Sequence, residues 1–204
     1  MGQLLHFALS VFMGFFAIMN PIANTPIFLG LVEGQDAANK KKIAAAGTIT
    51  AFLIVTAFII GGKYIFQIFG ITIPAFKITG GILIFYVGFE MLMSQKSKIH
   101  TNAVAPDVDS MALSPLAIPI LAGPGTIVTA MNYVTNASMM HMAIVIGVFA
   151  VMIVITYFIF SASDFIVKKV GANIIAVIGK LMGLILAIIG TGMVSDGIKL
   201  TFNF

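Results

Sequence analysis

Long apolar runs alternate with short polar stretches along the chain, and their lengths set the first expectation. A bilayer core of about 30 Å takes about 20 apolar residues per crossing helix. Leu4–Val32 is apolar but interrupted by prolines, and Glu33–Lys42 reads as a polar loop. Ile43–Gly61 is an unbroken span, Gly62–Ala75 an amphiphilic connection, and Phe76–Met93 a third span. Ser94–Ser110 is the longest polar stretch. Beyond it, Met111–Val134 is apolar and again interrupted, Met142–Phe160 is clean, and Asn173–Val194 completes the set. The pattern predicts an all-α membrane protein with six transmembrane helices, the first and fourth broken at proline motifs.

The two sides of the polar midpoint resemble each other. Pro21-Ile-Ala-Asn-Thr-Pro26 is matched by Pro119-Ile-Leu-Ala-Gly-Pro124, and Lys77-Ile-Thr-Gly80 by Lys180-Leu-Met-Gly183. Each third helix also carries glycines at matching spacing, Gly81 with Gly88 and Gly183 with Gly190, which puts small residues on one face for close packing. Their shared order predicts a duplication: residues 1–93 as one three-helix repeat, 94–110 as the central loop, and 111–204 as the second repeat. An odd number of helices per repeat makes the second copy run inverted, a plan used by many secondary transporters.

Composition agrees with a lipid-facing surface. Sixty per cent of the 204 residues are hydrophobic and 9% are charged, with a mean hydropathy of +1.11. A soluble domain carries about 25% charged residues. The net charge of +4 comes from eleven lysines and no arginine, so the dense Arg-bearing face of a nucleic-acid binder is missing. The absence of cysteine excludes disulfides, Cys-ligated metals and thiol nucleophiles. Met1–Ser10 lacks a basic leader pattern, so the first apolar segment is expected to stay in the protein. With the N-terminus outside, Lys40, Lys41, Lys42, Lys96, Lys98, Lys168 and Lys169 fall on the inner side, against Lys63 and Lys199 outside. Both termini are therefore expected outside.

Candidate chemistry gathers at the breaks. Proline removes an N–H and clashes with the carbonyl four residues earlier, so the carbonyls of Ala17, Ile22, Pro115 and Ile120 are expected to lose their helical partners. Such backbone survives in a membrane only where protein or a polar cavity surrounds it. Asn20-Pro21, Thr25-Pro26 and Ser114-Pro115 read as N-caps followed by proline at the first helical position, with Gly123-Pro124 a weaker version. Helices restarting at Pro26 and Pro124 would direct N–H groups and a positive dipole end at an anion. Ala23, Ala122 and Gly123 keep the space small, and Gly125 lets a ligand approach the backbone. Asn20, Asn24, Thr25, Thr126 and Thr129 supply neutral donors and acceptors. The expected substrate-binding set is Asn20, Ala23, Asn24, Thr25, Pro26, Ala122, Gly123, Pro124, Gly125 and Thr126, and its ligand a small zwitterion. Gly125→Leu is expected to fill this cavity without unfolding the protein.

These motifs resemble the MarC family (UPF0056), which includes the SnatA-type transporters. The resemblance is carried by Asn20-Pro21-Ile22 with Pro26, by Pro115-Leu-Ala-Ile-Pro119 leading to Ala122-Gly123-Pro124-Gly125, and by the Phe69-Gly70-Ile71 connection and Gly80-Gly81. It implies a six-span protein of the prokaryotic inner membrane. For SnatA-type members it implies uptake of small neutral amino acids such as glycine and alanine. Lys77 and Lys180 stand where the family commonly has arginine, which keeps the charge and removes bidentate pairing.

Other chemistry is sparse. Lys180 lies inside the sixth span and Glu90 near the end of the third; each reads as reaching for the interface. Asp164 and Asp196 read as helix-end residues. No acid sits at mid-span, which disfavours a carboxylate proton relay and leaves cation coupling, by proton or sodium, through carbonyls and hydroxyls. His6, His100 and His141 have no second ligand at metal spacing, so neither metal nor cofactor is expected. An intramembrane enzyme is disfavoured because no Ser/His pair, Asp dyad or His-Glu motif falls inside a span. The leading expectation is a secondary transporter driven by a cation gradient. The alternative is a channel, facilitator or exporter for a small polar solute.

Overall fold

A computed structural model describes residues 2–93, 116, 121–135 and 137–202 of the chain. Among them every regular element is helical: α1 (Gly2–Met19), α2 (Thr25–Leu31), α3 (Ala37–Phe69), α4 (Ile73–Leu92), α5 (Pro124–Val134), α6 (Met139–Ser161), α7 (Ser163–Val170) and α8 (Ala172–Phe202). Five helices among the described residues are long and apolar enough to cross a membrane: α1, α3 over Ala37–Gly62, α4, α6, and α8 over Asn173–Phe202. Of the expected fourth span, residues 111–115 and 117–120 fall outside the described residues, and α5 is its described helical end. The central loop 94–110 lies outside them altogether.

Apolar side chains cover the outside of the bundle, with Leu53 61%, Ile68 79% and Phe158 63% exposed. In water this would be an aggregation surface; in a bilayer it is the solvated one. A contiguous apolar core runs through the same bundle, where Phe149 of α6 touches Phe15 of α1 at 4.8 Å and Phe52 of α3 at 6.1 Å between ring centroids.

Several boundaries differ from the sequence expectation. α3 neither begins at Ile43 nor ends at Gly61. It starts under the Asp36 carboxylate, which accepts the Asn39 N–H at 2.7 Å, so Lys40, Lys41 and Lys42 lie in its first turns instead of a loop. It continues through Phe69 because Tyr64, Ile65, Phe66 and Ile68 extend the apolar pattern past Lys63. The stop is Gly70, in left-handed backbone at φ 63°, where the Ile71 N–H reaches back to the Phe66 carbonyl at 2.9 Å. That is a glycine-terminated helix end, and it cuts the expected Gly62–Ala75 connection to a short turn at 70–72. α8 likewise runs past Val194 to Phe202, which places Asp196 and Lys199 on the helix rather than after it. Between α6 and α8 a separate short helix, α7, carries Asp164 in its first turn and Lys168 and Lys169 in its last.

Glycine sets the closest packing. α4 and α8 run antiparallel: a Cβ on Gly81 would lie 2.6 Å from the Gly190 carbonyl oxygen, and one on Gly88 2.5 Å from that of Gly183. The approach is reciprocal, since a Cβ on Gly190 would meet the Gly81 carbonyl at 2.5 Å and one on Gly183 that of Gly88 at 2.7 Å. No side chain larger than hydrogen fits at this seam without separating the helices. At one end of it Lys77 pairs with Asp196 at 3.4 Å.

α5 occupies the interior, in contact with α1, α3, α4 and α6. Met131 reaches Gly62 of α3, Val128 covers Gly80 of α4, and Tyr133 lies over Gly14 of α1. The Tyr133 hydroxyl donates to the Ser10 carbonyl at 2.9 Å. α2 packs on α7 and the end of α6, with the Phe28 and Phe160 rings stacked at 4.6 Å.

Candidate functional site

The first break is built by Asn20. α1 ends at Met19, and Asn20 adopts φ 35°, the one non-glycine residue with positive φ among those described. Asparagine enters this left-handed region more readily than most residues. The following residues, 21–24, form turns rather than a helix. Neither expected cap on this side holds: no helix starts at Pro21, and the residue preceding α2 is Asn24, with Thr25 already inside the helix.

Most backbone opened by the break is reclaimed locally. The Asn24 side-chain amide donates to the Met19 carbonyl at 2.7 Å, and the Thr25 hydroxyl donates to the Pro21 carbonyl at 2.9 Å. The Ile22 carbonyl, expected to be released by Pro26, accepts the Thr25 N–H at 3.2 Å. Asn24 and Thr25 therefore tie the break together, through carbonyls that residue spacing alone does not single out.

Asn20 differs from both. It is 1% exposed, its carboxamide oxygen accepts the Ala23 N–H at 3.2 Å, and its buried side-chain NH2 has no partner among the described residues. A buried donor left unpaired costs about 1–3 kcal/mol.

On the second break, α5 starts where expected. Gly123 is its N-cap in extended backbone, Pro124 occupies the first turn, and no side chain caps the end. The first helical bond from this end runs from the Ile127 N–H to the Gly123 carbonyl at 3.1 Å, so the Gly125 and Thr126 N–H groups precede the ladder. Ala122, Gly123, Gly125 and Thr126 are buried, while Pro124 is exposed. Pro115, Pro119, Ser114 and Ile120 lie outside the described residues.

The two breaks meet through Gly125. A Cβ there would fall 2.8 Å from Ile18 Cδ1, two residues before Asn20. Gly125 thus faces a side chain of α1 instead of open space, and Gly125→Leu would push α1 away as well as occupy the site. Ala23 sits across from Gly179 of α8, 3.4 Å from where its Cβ would be. Pro26 is exposed, and α2 spans only seven residues. Both expected anion-facing ends lack a side-chain cap, and α5 is the stronger because it is the longer helix and Ala122, Gly123, Gly125 and Thr126 are all buried at its start.

A separate groove of about 1140 Å³ opens between the ends of α3 and α5 and the start of α6, lined among others by Ile59, Tyr64, Gln67, Met131, Thr135 and Met142. None of the ten candidate residues lines it. It is predominantly apolar, which suits lipid better than a zwitterion, so the breaks remain the better place for polar recognition. Among the described residues no group of three or more metal-ligating side chains comes together. His141 instead pairs its ring with the Ser138 hydroxyl at 2.8 Å, at the start of α6.

A bundle of membrane-length helices, with two irregular segments turned inward and joined through a glycine contact, defines a polytopic integral membrane protein. The profile of MarC family integral membrane proteins matches residues 5–202, and the chain belongs to that family. It is 40% identical over 200 residues to the UPF0056 membrane protein YvbG of Bacillus subtilis, covering 95% of this chain and 94% of that one. It is 36% identical over 193 residues to a UPF0056 membrane protein of Pyrococcus abyssi, covering 95% and 94%. A third relative, from Methanocaldococcus jannaschii, is 34% identical over 199 residues, covering 96% and 97%. No solved structure matches the chain.

Proposed function

We propose that the protein is a secondary transporter of small neutral amino acids of the glycine and alanine class, working by alternating access around its two breaks and driven by a proton or sodium gradient. The observation that carries this reading is the buried, unpaired NH2 group of Asn20, held in left-handed backbone where α1 stops. A group that costs free energy in the empty site gains a partner when a ligand brings an acceptor. The uncapped start of α5, joined to the end of α1 through Ile18 and Gly125, supplies further donors for a carboxylate. A small substrate suits a site closed in by Ala23, Ala122, Gly123 and Gly125. The choice of glycine and alanine follows the resemblance to SnatA-type members. The reading assigns no catalytic residue.

The architecture proposed with it has six spans, as two inverted repeats, in a prokaryotic inner membrane with both termini outside. The glycine seam supports the inversion. Laying Gly81 on Gly183 and Gly88 on Gly190, one residue from the register of the Lys77 and Lys180 motifs, turns the Gly81–Gly190 contact into Gly183–Gly88, the second contact of the seam. A contact that maps onto its partner in this way is the mark of a two-fold axis.

Uptake of labelled glycine and alanine into proteoliposomes, with and without imposed proton and sodium gradients, tests the function. Accumulation above equilibrium under one gradient is expected, and the gradient that drives it names the coupling ion. Equilibration without accumulation would replace the reading by a channel or facilitator. No saturable flux in either direction would overturn it.

A further inference from the structure

The end of the bundle where α3 begins and α6 gives way to α8 carries a concentration of lysine that the transport reading leaves unused. α7 lies between two membrane-length helices, so it sits where the apolar core ends. Lys40, one turn into α3, pairs with Asp164 of α7 at 3.0 Å, which holds the start of α3 and α7 at one level. Lys168 follows Asp164 by one helical turn and shares its face. Lys41, Lys42, Lys168 and Lys169 are all exposed.

The nearby acids are already engaged or outnumbered. Asp164 is bound to Lys40, and Asp36 caps the Asn39 N–H, leaving Glu33 against four lysines. Phe165 is 63% exposed beside them, with the Lys169 ammonium 5.3 Å from its ring centre. An exposed aromatic ring flanked by ammonium groups at the edge of the apolar core matches the boundary between phosphate headgroups and acyl chains. Lysines clustered beside a span or on an amphipathic helix favour anionic lipid by about 1 kcal/mol each.

We propose that Lys41, Lys42, Lys168 and Lys169, arranged around the Lys40–Asp164 bridge, bind the headgroup of an anionic phospholipid such as phosphatidylglycerol, with Phe165 set among its acyl chains. The site is independent of the transport reading and stands or falls on lipid binding alone.

Native mass spectrometry of the full chain, purified in a neutral detergent and given equal amounts of phosphatidylglycerol and phosphatidylcholine, tests it. Wild-type protein is expected to retain phosphatidylglycerol preferentially. The quadruple change Lys41→Gln, Lys42→Gln, Lys168→Gln, Lys169→Gln should lower that preference roughly tenfold or more. Lys199→Gln, towards the other end of α8, should leave it unchanged. Should the quadruple variant fail to fold, Lys168→Gln with Lys169→Gln decides, with folding checked by its melting temperature in phosphatidylcholine. Equal retention of the two lipids by wild type, or unchanged preference in a folded variant, overturns the proposal.

Discussion

In the proposed transporter, Asn20 combines a backbone role with a recognition role. Its left-handed conformation ends α1, and its carboxamide oxygen holds the Ala23 N–H, so part of the side chain belongs to the turn. The NH2 group has no such employment. Glycine adopts the same backbone without strain, which makes Asn20→Gly the informative change. It removes the unpaired donor together with the single bond to Ala23, and stability should move by no more than about 1 kcal/mol. Glycine uptake should fall by at least roughly tenfold if the amide binds substrate, as expected for losing a buried hydrogen bond to a charged group. Melting temperature and proteoliposome uptake, measured on the same preparation, separate the two effects; normal uptake would return Asn20 to a purely structural role.

At the scale of elements, the sequence was informative where hydrophobic periodicity or proline governed the outcome. The break after Met19 and the restart at Pro124 could be read directly, because proline cannot donate to a helix wherever it stands. The ends of α3 and α8 could not. Lys63, Gly70 and Pro74 suggested an interfacial connection from Gly62 onward, but a lysine among aromatic and aliphatic residues does not stop a helix, and Gly70 does. The side-chain bonds of Asn24 and Thr25 were equally hidden, since either residue had several carbonyls within reach by sequence. Glycine spacing in α4 and α8 was visible, whereas the fact that these two helices choose each other emerges only from the fold. Their seam gives a sharp contrast in mutability. Gly88→Leu should destabilise by about 3 kcal/mol or more, because the new side chain meets backbone that cannot yield. Gly147→Ala, on α6 with open space around it, should be neutral or stabilise by up to about 1 kcal/mol. Thermal unfolding in detergent would show the difference, and similar melting temperatures for the two variants would contradict the seam.

The whole molecule can be mapped because its sequence contains no cysteine. Single cysteines introduced at exposed positions become unique reporters of sidedness. With both termini outside, a cysteine replacing Thr201 should react with a membrane-impermeant maleimide added to intact cells, and one replacing Lys168 only after the membrane is opened. The reverse pattern would invert the proposed orientation, and labelling of both sites from one side would require an odd change in the number of crossings between them. The apolar groove beside α3 and the polar breaks are separate places in the bundle, since none of the ten candidate residues lines the groove.

The seam between α4 and α8 has a consequence for how such a chain can evolve. Gly81 and Gly190 limit each other, and so do Gly88 and Gly183, because each would drive a new methyl group into the other's carbonyl. A mutation on one side therefore finds no accommodating mutation on the other; enlarging both only deepens the clash. Asn24 and Thr25 are under no such mutual veto, since their side chains bond within their own segment. Drift is thus channelled along the seam, where the two halves of the chain stay locked in step.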